Sequence, residues 1–181
     1  LSLINDILDL SRIEAGRYDL VEEPLWISDV VSDCRSLMRL KARSKSISLI
    51  QNDENNLSQI MADERALRQI CLNLVGNAIK FTPEGGRIFL SIGSTIEGGQ
   101  YLSVKDTGPG IAHDEMQKVL EPFGQGALGR QQVNTGTGLG LAIVKKLVEL
   151  HGGLFELISE RDKGTEAFVV FPKIRNISEN P

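Results

Sequence analysis

The spacing of apolar and polar positions divides the chain into helices and short strands. In residues 1–15, Leu1, Ile4, Leu8 and Ser11 recur at helical spacing beside Leu3, Ile7, Leu10 and Glu14, which predicts an amphipathic helix ended by Gly16. Residues 18–21 read as a short strand, and Pro24 then resets the chain. Ser28 can cap a helix running to about Lys45, with Val31, Cys34, Leu37, Met38 and Leu40 as its apolar positions. Residues 47–50 and 60–62 read as strands, separated by the polar loop 52–56. A long helix is expected over residues 63–81, then a strand over 87–94 with Ile88, Leu90 and Ile92 on one face. Gly98-Gly99 turns the chain into a strand over 101–105. A short helix over 115–120, a helix over 139–150 stopped by Gly152-Gly153, and a hairpin of 154–159 with 165–171 follow. Helices mixed with hairpin strands, without regular β-α-β alternation, predict an α+β two-layer sandwich with a mixed, mostly antiparallel sheet. They argue against a doubly wound nucleotide fold.

The bulk properties narrow the function classes. Of 181 residues, 41% are hydrophobic and 24% charged, which suits a soluble domain with its own core. The net charge of −4 argues against a nucleic-acid partner gripped through its phosphates. No apolar run approaches the roughly 20 residues of a membrane span. Cys34 and Cys71 sit in apolar helical surroundings and read as buried free thiols in a reducing, cytoplasmic setting. Leu1 begins mid-pattern and no basic leader precedes it, so a piece of a longer protein is expected.

Three stretches carry candidate chemistry. On the helix over 63–81, Leu67, Ile70, Cys71, Leu74 and Ala78 form an apolar stripe, and Gln69, Asn73, Asn77 and Lys80 form a polar one beside it. Two amides and an ammonium on one face suit a phosphate-metal site, because Mg²⁺ accepts a hard neutral oxygen and a lysine neutralises phosphate. A plain polar flank of a surface helix is the simpler reading of the stripe taken alone. Asp106-Thr107-Gly108-Pro109-Gly110-Ile111 follows a strand; the aspartate can accept from an exocyclic amine, and the glycines let backbone approach a flat ring. Gly136-Thr137-Gly138-Leu139-Gly140-Leu141 runs into a helix and offers backbone N–H groups to an anion. It is neither the dinucleotide fingerprint nor a P-loop, since position 141 is leucine and no Gly-Lys-Ser/Thr occurs.

In this order the three stretches resemble the ATP-binding domain of sensor histidine kinases, within the wider family of Hsp90, gyrase B and MutL. The resemblance runs from Met61 to Pro172 and implies the Bergerat fold, with about five strands on about three helices. Residues 69–82 look like the asparagine box, which implies Mg²⁺ on Asn77 and Asn73, Lys80 and Phe81 along the nucleotide. Asp106, Gly108, Gly110 and Ile111 look like the first glycine box, whose aspartate reads the adenine amine. Phe123 matches the phenylalanine box, and Thr137, Gly138, Leu139, Gly140 and Leu141 match the second glycine box beside the triphosphate. Thr165 looks like the threonine near adenine, and residues 121–137 like an ATP lid, poorly ordered without nucleotide. The Phe-Gly-Gln run at 123–125 is similar to cell-cycle sensor kinases of alphaproteobacteria.

The hydrolytic members carry a glutamate where this chain has Asn73. An amide cannot act as general base toward water, so transfer to an outside nucleophile is implied, with Asn73 and Lys80 as catalytic candidates. By resemblance the acceptor is a histidine on a dimerisation helix that is not in this sequence. Residues 1–16 look like the end of the second helix of that hairpin, 17–174 like the catalytic domain, and 175–181 like a solvated tail. The resemblance further implies a response-regulator receiver domain as partner and a homodimeric intact protein. A hydrolytic ATPase and a non-catalytic interaction module are the competing readings. His113 is expected at a helix start, and His151 at a helix end as a cation that suits the dipole. Trp26 is expected to anchor the helical arm to the domain, and Arg130 and Lys145 either to touch phosphates or to be solvated charges.

Overall fold

The structure, a computed structural model, describes residues 2–124 and 137–177. In chain order the elements are α1 (Ser2–Glu14), β1 (Glu23–Leu25), α2 (Ile27–Arg43), β2 (Ser48–Asp53), β3 (Ile60–Ala62) and α3 (Glu64–Phe81). They continue with β4 (Arg87–Ser94), β5 (Gln100–Asp106), α4 (Met116–Val119), α5 (Gly140–Leu150), β6 (Leu154–Glu160) and β7 (Gly164–Phe171). The main sheet has the order β2-β4-β5-β7-β6. Its β2/β4 pair is parallel and the other pairs are antiparallel. Helices α2, α3 and α5 pack on it, as a two-layer α+β sandwich requires.

The core lies between those layers. Ile88, Leu90 and Ile92 of β4, Leu102 and Val104 of β5, and Ala167, Val169 and Phe171 of β7 meet Leu67, Ile70, Cys71 and Leu74 of α3 and Ile143, Val144, Leu147 and Val148 of α5. Each fully buried leucine or isoleucine contributes about 1.5–3 kcal/mol relative to exposure. Both thiols are free and buried, as their surroundings imply. Helix α1 packs on α5 through buried Leu10 and Ile13, while Leu3, Ile4, Ile7 and Leu8 stay exposed.

Several elements depart from expectation for local reasons. Residues 18–21 form no strand: the Val21 N–H donates to Asp63 Oδ2 at 2.8 Å, and the strand is instead β1, paired antiparallel with β3. Pro24 lies inside that short pair, where one missing donor is tolerated. Helix α2 starts on Trp26, whose carbonyl accepts from Asp29 and Val30, and not on Ser28. Trp26 is 37% exposed and serves as this helix start. Strand β2 runs through Asn52 and Asp53, expected in a loop; a sheet edge accepts polar residues because one side faces solvent. The chain end is tied down further than a tail starting at Asn176 would be: Asn176 bridges Ile60, and the Ile177 N–H donates to the Gln59 carbonyl at 2.8 Å. Most of the expected lid, with Gln125, Arg130 and Gly136, and the tail beyond Ile177 lie outside the described residues.

Candidate functional site

Helix α3 is capped by Asp63, whose Oδ1 accepts from the Ala66 N–H at 2.9 Å. The cap and the buried apolar stripe set the rotation of the helix. Asn73, Asn77, Lys80 and Phe81 are thereby turned toward a cavity of about 790 Å³, a size suited to a small-molecule ligand. Across the cavity stands the start of α5. The Asn73 amide Nδ2 lies 3.5 Å from the Gly140 carbonyl, at the limit of a hydrogen bond. A Cβ on Gly140 would sit 3.8 Å from Asn77 Nδ2, so the glycine segment and the asparagine stripe are in contact range. Thr137, Gly138 and Leu141 also line this end, and Thr137 Oγ1 accepts from the Leu139 N–H at 3.2 Å. The first N–H groups of α5 thus open toward the amides and the ammonium, an arrangement that attracts an anion.

Lys80 places its Nζ 4.6 Å from the Phe81 ring centroid. Burial, reinforced by the like charge of Lys41, lowers its pKa from the ordinary lysine value. Lys41 lines the same cavity from α2. Two neighbouring cations of this kind are relieved by an anion between them.

The other end of the cavity is already hydrogen-bonded. Asp106 closes β5 and is nearly buried. Its Oδ1 accepts from the Gly108 N–H at 2.8 Å and the Thr165 N–H at 3.3 Å, and no described donor reaches Oδ2. Burial raises the Asp106 pKa, and the two N–H donors oppose that rise. Ser159 Oγ lies 2.8 Å from Thr165 Oγ1, donates to the Gly164 carbonyl at 2.9 Å and accepts from the Ile111 N–H at 2.8 Å. This hydroxyl therefore joins Ile111 to Thr165. Val104, Leu157 and Ala167 add apolar walls.

The glycines of this end are also needed by the chain itself. A Cβ on Gly110, which has φ +68°, would fall 2.0 Å from the Glu160 carbonyl. A Cβ on Gly108 would meet Asp106 Oδ1 at 2.7 Å. The close approach they permit is to the chain's own backbone and carboxylate, and it presses the loop onto the β6–β7 turn.

A family model described as histidine kinase-, DNA gyrase B- and HSP90-like ATPase matches residues 62–175. The chain belongs to this ATPase family. An uncharacterized sensor-like histidine kinase of Rhizobium meliloti is 42% identical over 95% of this chain and 33% of its own length. The cell-division control histidine kinase PdhS of Brucella abortus is 35% identical over 99% of this chain and 18% of its own. These alphaproteobacterial relatives agree with the cell-cycle likeness of the 123–125 run. The crystal structure of full-length ShkA in complex with AMPPNP superposes with a TM-score of 0.84 at 37% identity, over 94% of this chain and 35% of that one. The catalytic domain of histidine kinase ThkA superposes at 0.73, with 28% identity, over 85% of this chain and 97% of that one. The chain spans a third or less of the curated relatives above.

Most of the residues singled out by the family's boxes line the one cavity. Three do not. Gly108 is buried behind Asp106, Leu139 is part of the core, and Phe123 is exposed with φ +60°. A Cβ on Gly138 would lie 2.9 Å from the Phe123 Cα, so Phe123 meets the second glycine box through its backbone. Lys145 is exposed on α5, and His113 opens a short 3₁₀ turn, His113–Glu115. His151 is fully buried, and burial lowers its pKa. Its Nδ1 lies 2.7 Å from the Leu147 carbonyl, and its Nε2 accepts from the Asp63 N–H at 3.2 Å. Those partners require the neutral, Nδ1-protonated ring, so the helix C-terminal contact is made without the positive charge that would suit the dipole. Sequence reasoning missed Ser159, Lys41 and the apolar walls, and it missed two contacts from α1: Asp9 accepts from Gln69 at 3.0 Å, and Asp6 from the Thr137 hydroxyl at 3.3 Å.

Proposed function

We propose that this chain binds Mg-ATP in the cavity and, within a longer histidine kinase, passes the γ-phosphoryl to a histidine on a dimerisation helix. The observation that carries this reading is the facing of Asn73, Asn77 and Lys80 with the start of α5, where these side chains make one marginal hydrogen bond among the described residues. Polar groups gathered in one place and left without partners are suited to a ligand. At the other end, Asp106 Oδ2 is free to accept from the adenine amine, and the Thr165 hydroxyl stands beside it. Guanine would present a carbonyl there, and two acceptors repel.

The residues fit Mg²⁺ held mainly by the nucleotide. Among the described residues no group of three or more His, Cys, Asp or Glu gathers. The Asn77 amide then supplies a protein oxygen, with phosphates and water as the remaining ligands. When bound, the metal neutralises phosphate charge. Lys80 adds a second positive charge, and the N–H groups of α5 hold the phosphate oxygens. Asn73 has no carboxylate to take a proton from water, so the site favours transfer over hydrolysis. The acceptor histidine and the homodimer around it belong to the longer protein, and the receiver domain of a response regulator is the partner that takes the phosphoryl next.

Mixing this chain with a separately made dimerisation hairpin and γ-labelled ATP tests the reading. Label on the hairpin histidine is expected, and its absence while the chain binds ATP would sink the transfer step. Steady phosphate release by the chain alone, lost in Asn73→Ala, would favour the hydrolytic alternative.

A further inference from the structure

The last turn of α3 presents Lys80 and Phe81 to the cavity, and a helix end leaves carbonyls without intrahelical donors. The Ala78 carbonyl is satisfied by the Thr82 N–H at 2.9 Å. Three others converge on one ammonium: Lys45 Nζ lies 2.8 Å from the Ile79 carbonyl, 3.0 Å from that of Lys80 and 2.9 Å from that of Thr82. A lysine has three N–H donors, and all three are used here. The positive charge also sits at the negative end of the α3 dipole.

Lys45 is itself held in place. It follows α2, its carbonyl accepts from the Gly85 N–H at 3.0 Å, and the Ser48 N–H donates to the Gly86 carbonyl at 3.1 Å. The turn from α2 to β2 is thereby stapled to the turn from α3 to β4. Lys45 is half-buried and also contributes to the cavity wall. Without its ammonium, the Ile79 and Lys80 carbonyls would turn partial negative charge toward a ligand that is itself an anion, and the turn carrying Lys80 would lose its tether.

We infer that Lys45 is a positioning residue for the nucleotide: it clamps the C-terminal turn of α3 so that Lys80 meets the phosphates. This rests on the ATP-binding reading above. The clamp acts on phosphate contacts through Lys80, whereas Asp106 at the adenine end is held by the Gly108 and Thr165 N–H groups.

Calorimetric titration of the chain with Mg-ATP, and with adenosine, tests it in wild type, Lys45→Met, Lys45→Gln, Lys80→Met and the Lys45→Met/Lys80→Met pair. Lys45→Met is expected to weaken ATP binding about fivefold, with Lys45→Gln in between. The same change in the Lys80→Met background costs under about twofold, because the two residues act in series. Adenosine binding changes under about twofold in Lys45→Met. Equal losses in both backgrounds, an equal loss for adenosine, or unchanged ATP affinity in a folded Lys45 variant would overturn the clamp. If Lys45→Met does not fold, Lys45→Gln carries the same comparison. A wild-type chain that binds no ATP would instead overturn the functional reading beneath it.

Discussion

The two ends of α3 treat their polar groups in opposite ways. At the N-terminal end the polar groups around Asp63 have partners in the protein. Asp63 caps the helix with one oxygen and holds Val21 with the other, and its N–H is received by His151. Arg175 binds the Met61 carbonyl at 2.7 Å and Glu22 at 2.6 Å, and also donates to the His151 carbonyl. Further along the same helix, the side chains of Asn73, Asn77 and Lys80 make one marginal hydrogen bond and one ring contact among the described residues. The first group of contacts contributes to stability. The second has little to contribute until a ligand arrives.

That contrast yields tests in descending order of effect. Asp63→Ala removes a cap and a second hydrogen bond, and should lower unfolding free energy in urea by about 2–3 kcal/mol while leaving ATP affinity of the folded protein within about twofold. Loss of ATP binding without loss of stability would invert the comparison. Asn77→Ala should do the reverse. We expect a tenfold to hundredfold loss of Mg-dependent ATP binding by calorimetry, on the order of a lost ligand to a charged partner, with the melting temperature unchanged.

Asp106→Asn lies between the two classes, because its Oδ1 is bonded to the protein and its Oδ2 is not. It should weaken ATP about tenfold and erase the preference for adenine over guanine, since an NH₂ would then face the adenine amine. The folded protein should become more stable at neutral pH. The Asp106 pKa is raised by burial, so its charge costs stability above that raised value, and the cost vanishes below the unfolded value near 3.8. A melting temperature that falls at pH 7 would show that the carboxylate is needed for folding.

The smallest effect belongs to His151. Its pKa is lowered on folding, so the unfolded chain takes up the proton first. Its contribution is complete above about 6.5 and is lost as pH falls from there toward the lower folded value. Urea midpoints of wild type should decline over that window, and those of His151→Gln should decline less. Identical slopes would mean that the ring is not held neutral by Asp63 and Leu147.

The sequence made some of this legible and not the rest. Helix α3 and the hairpin β6–β7 announce themselves because their periodicity is strong and their ends carry Asp63, Thr82 and paired turns. The asparagine stripe is legible as a face, but its partner Gly140 is sixty-seven positions downstream, and only the resemblance links them. What periodicity does not carry are side chains whose role is set by a distant backbone. Ser159 reads as an ordinary strand residue until Ile111 and Thr165 meet it. Gly110 reads as a ligand-approach glycine, and its second constraint, the Glu160 carbonyl against it, lies fifty positions away. His151 reads as a cation at a helix end until the Asp63 N–H claims its second nitrogen. The polar run of β2 looks like loop because edge strands lack the alternation that marks buried ones.

The bond between Asp63 and His151 has a mechanical meaning. It pins the residue just before α3 to the residue just after α5, while Asn73 and Gly140 face each other at the cavity. The two helices therefore run antiparallel, joined at this end by the bond and packed together through the shared core. Gly140 stands eleven residues from His151, a lever of about 16 Å. A tilt of roughly ten degrees at the joined end would carry it by about 3 Å, enough to gain or lose a hydrogen bond to a phosphate. The Asp63–His151 bond is thus one of the contacts that set this grip, beside the buried side chains packed between α3 and α5.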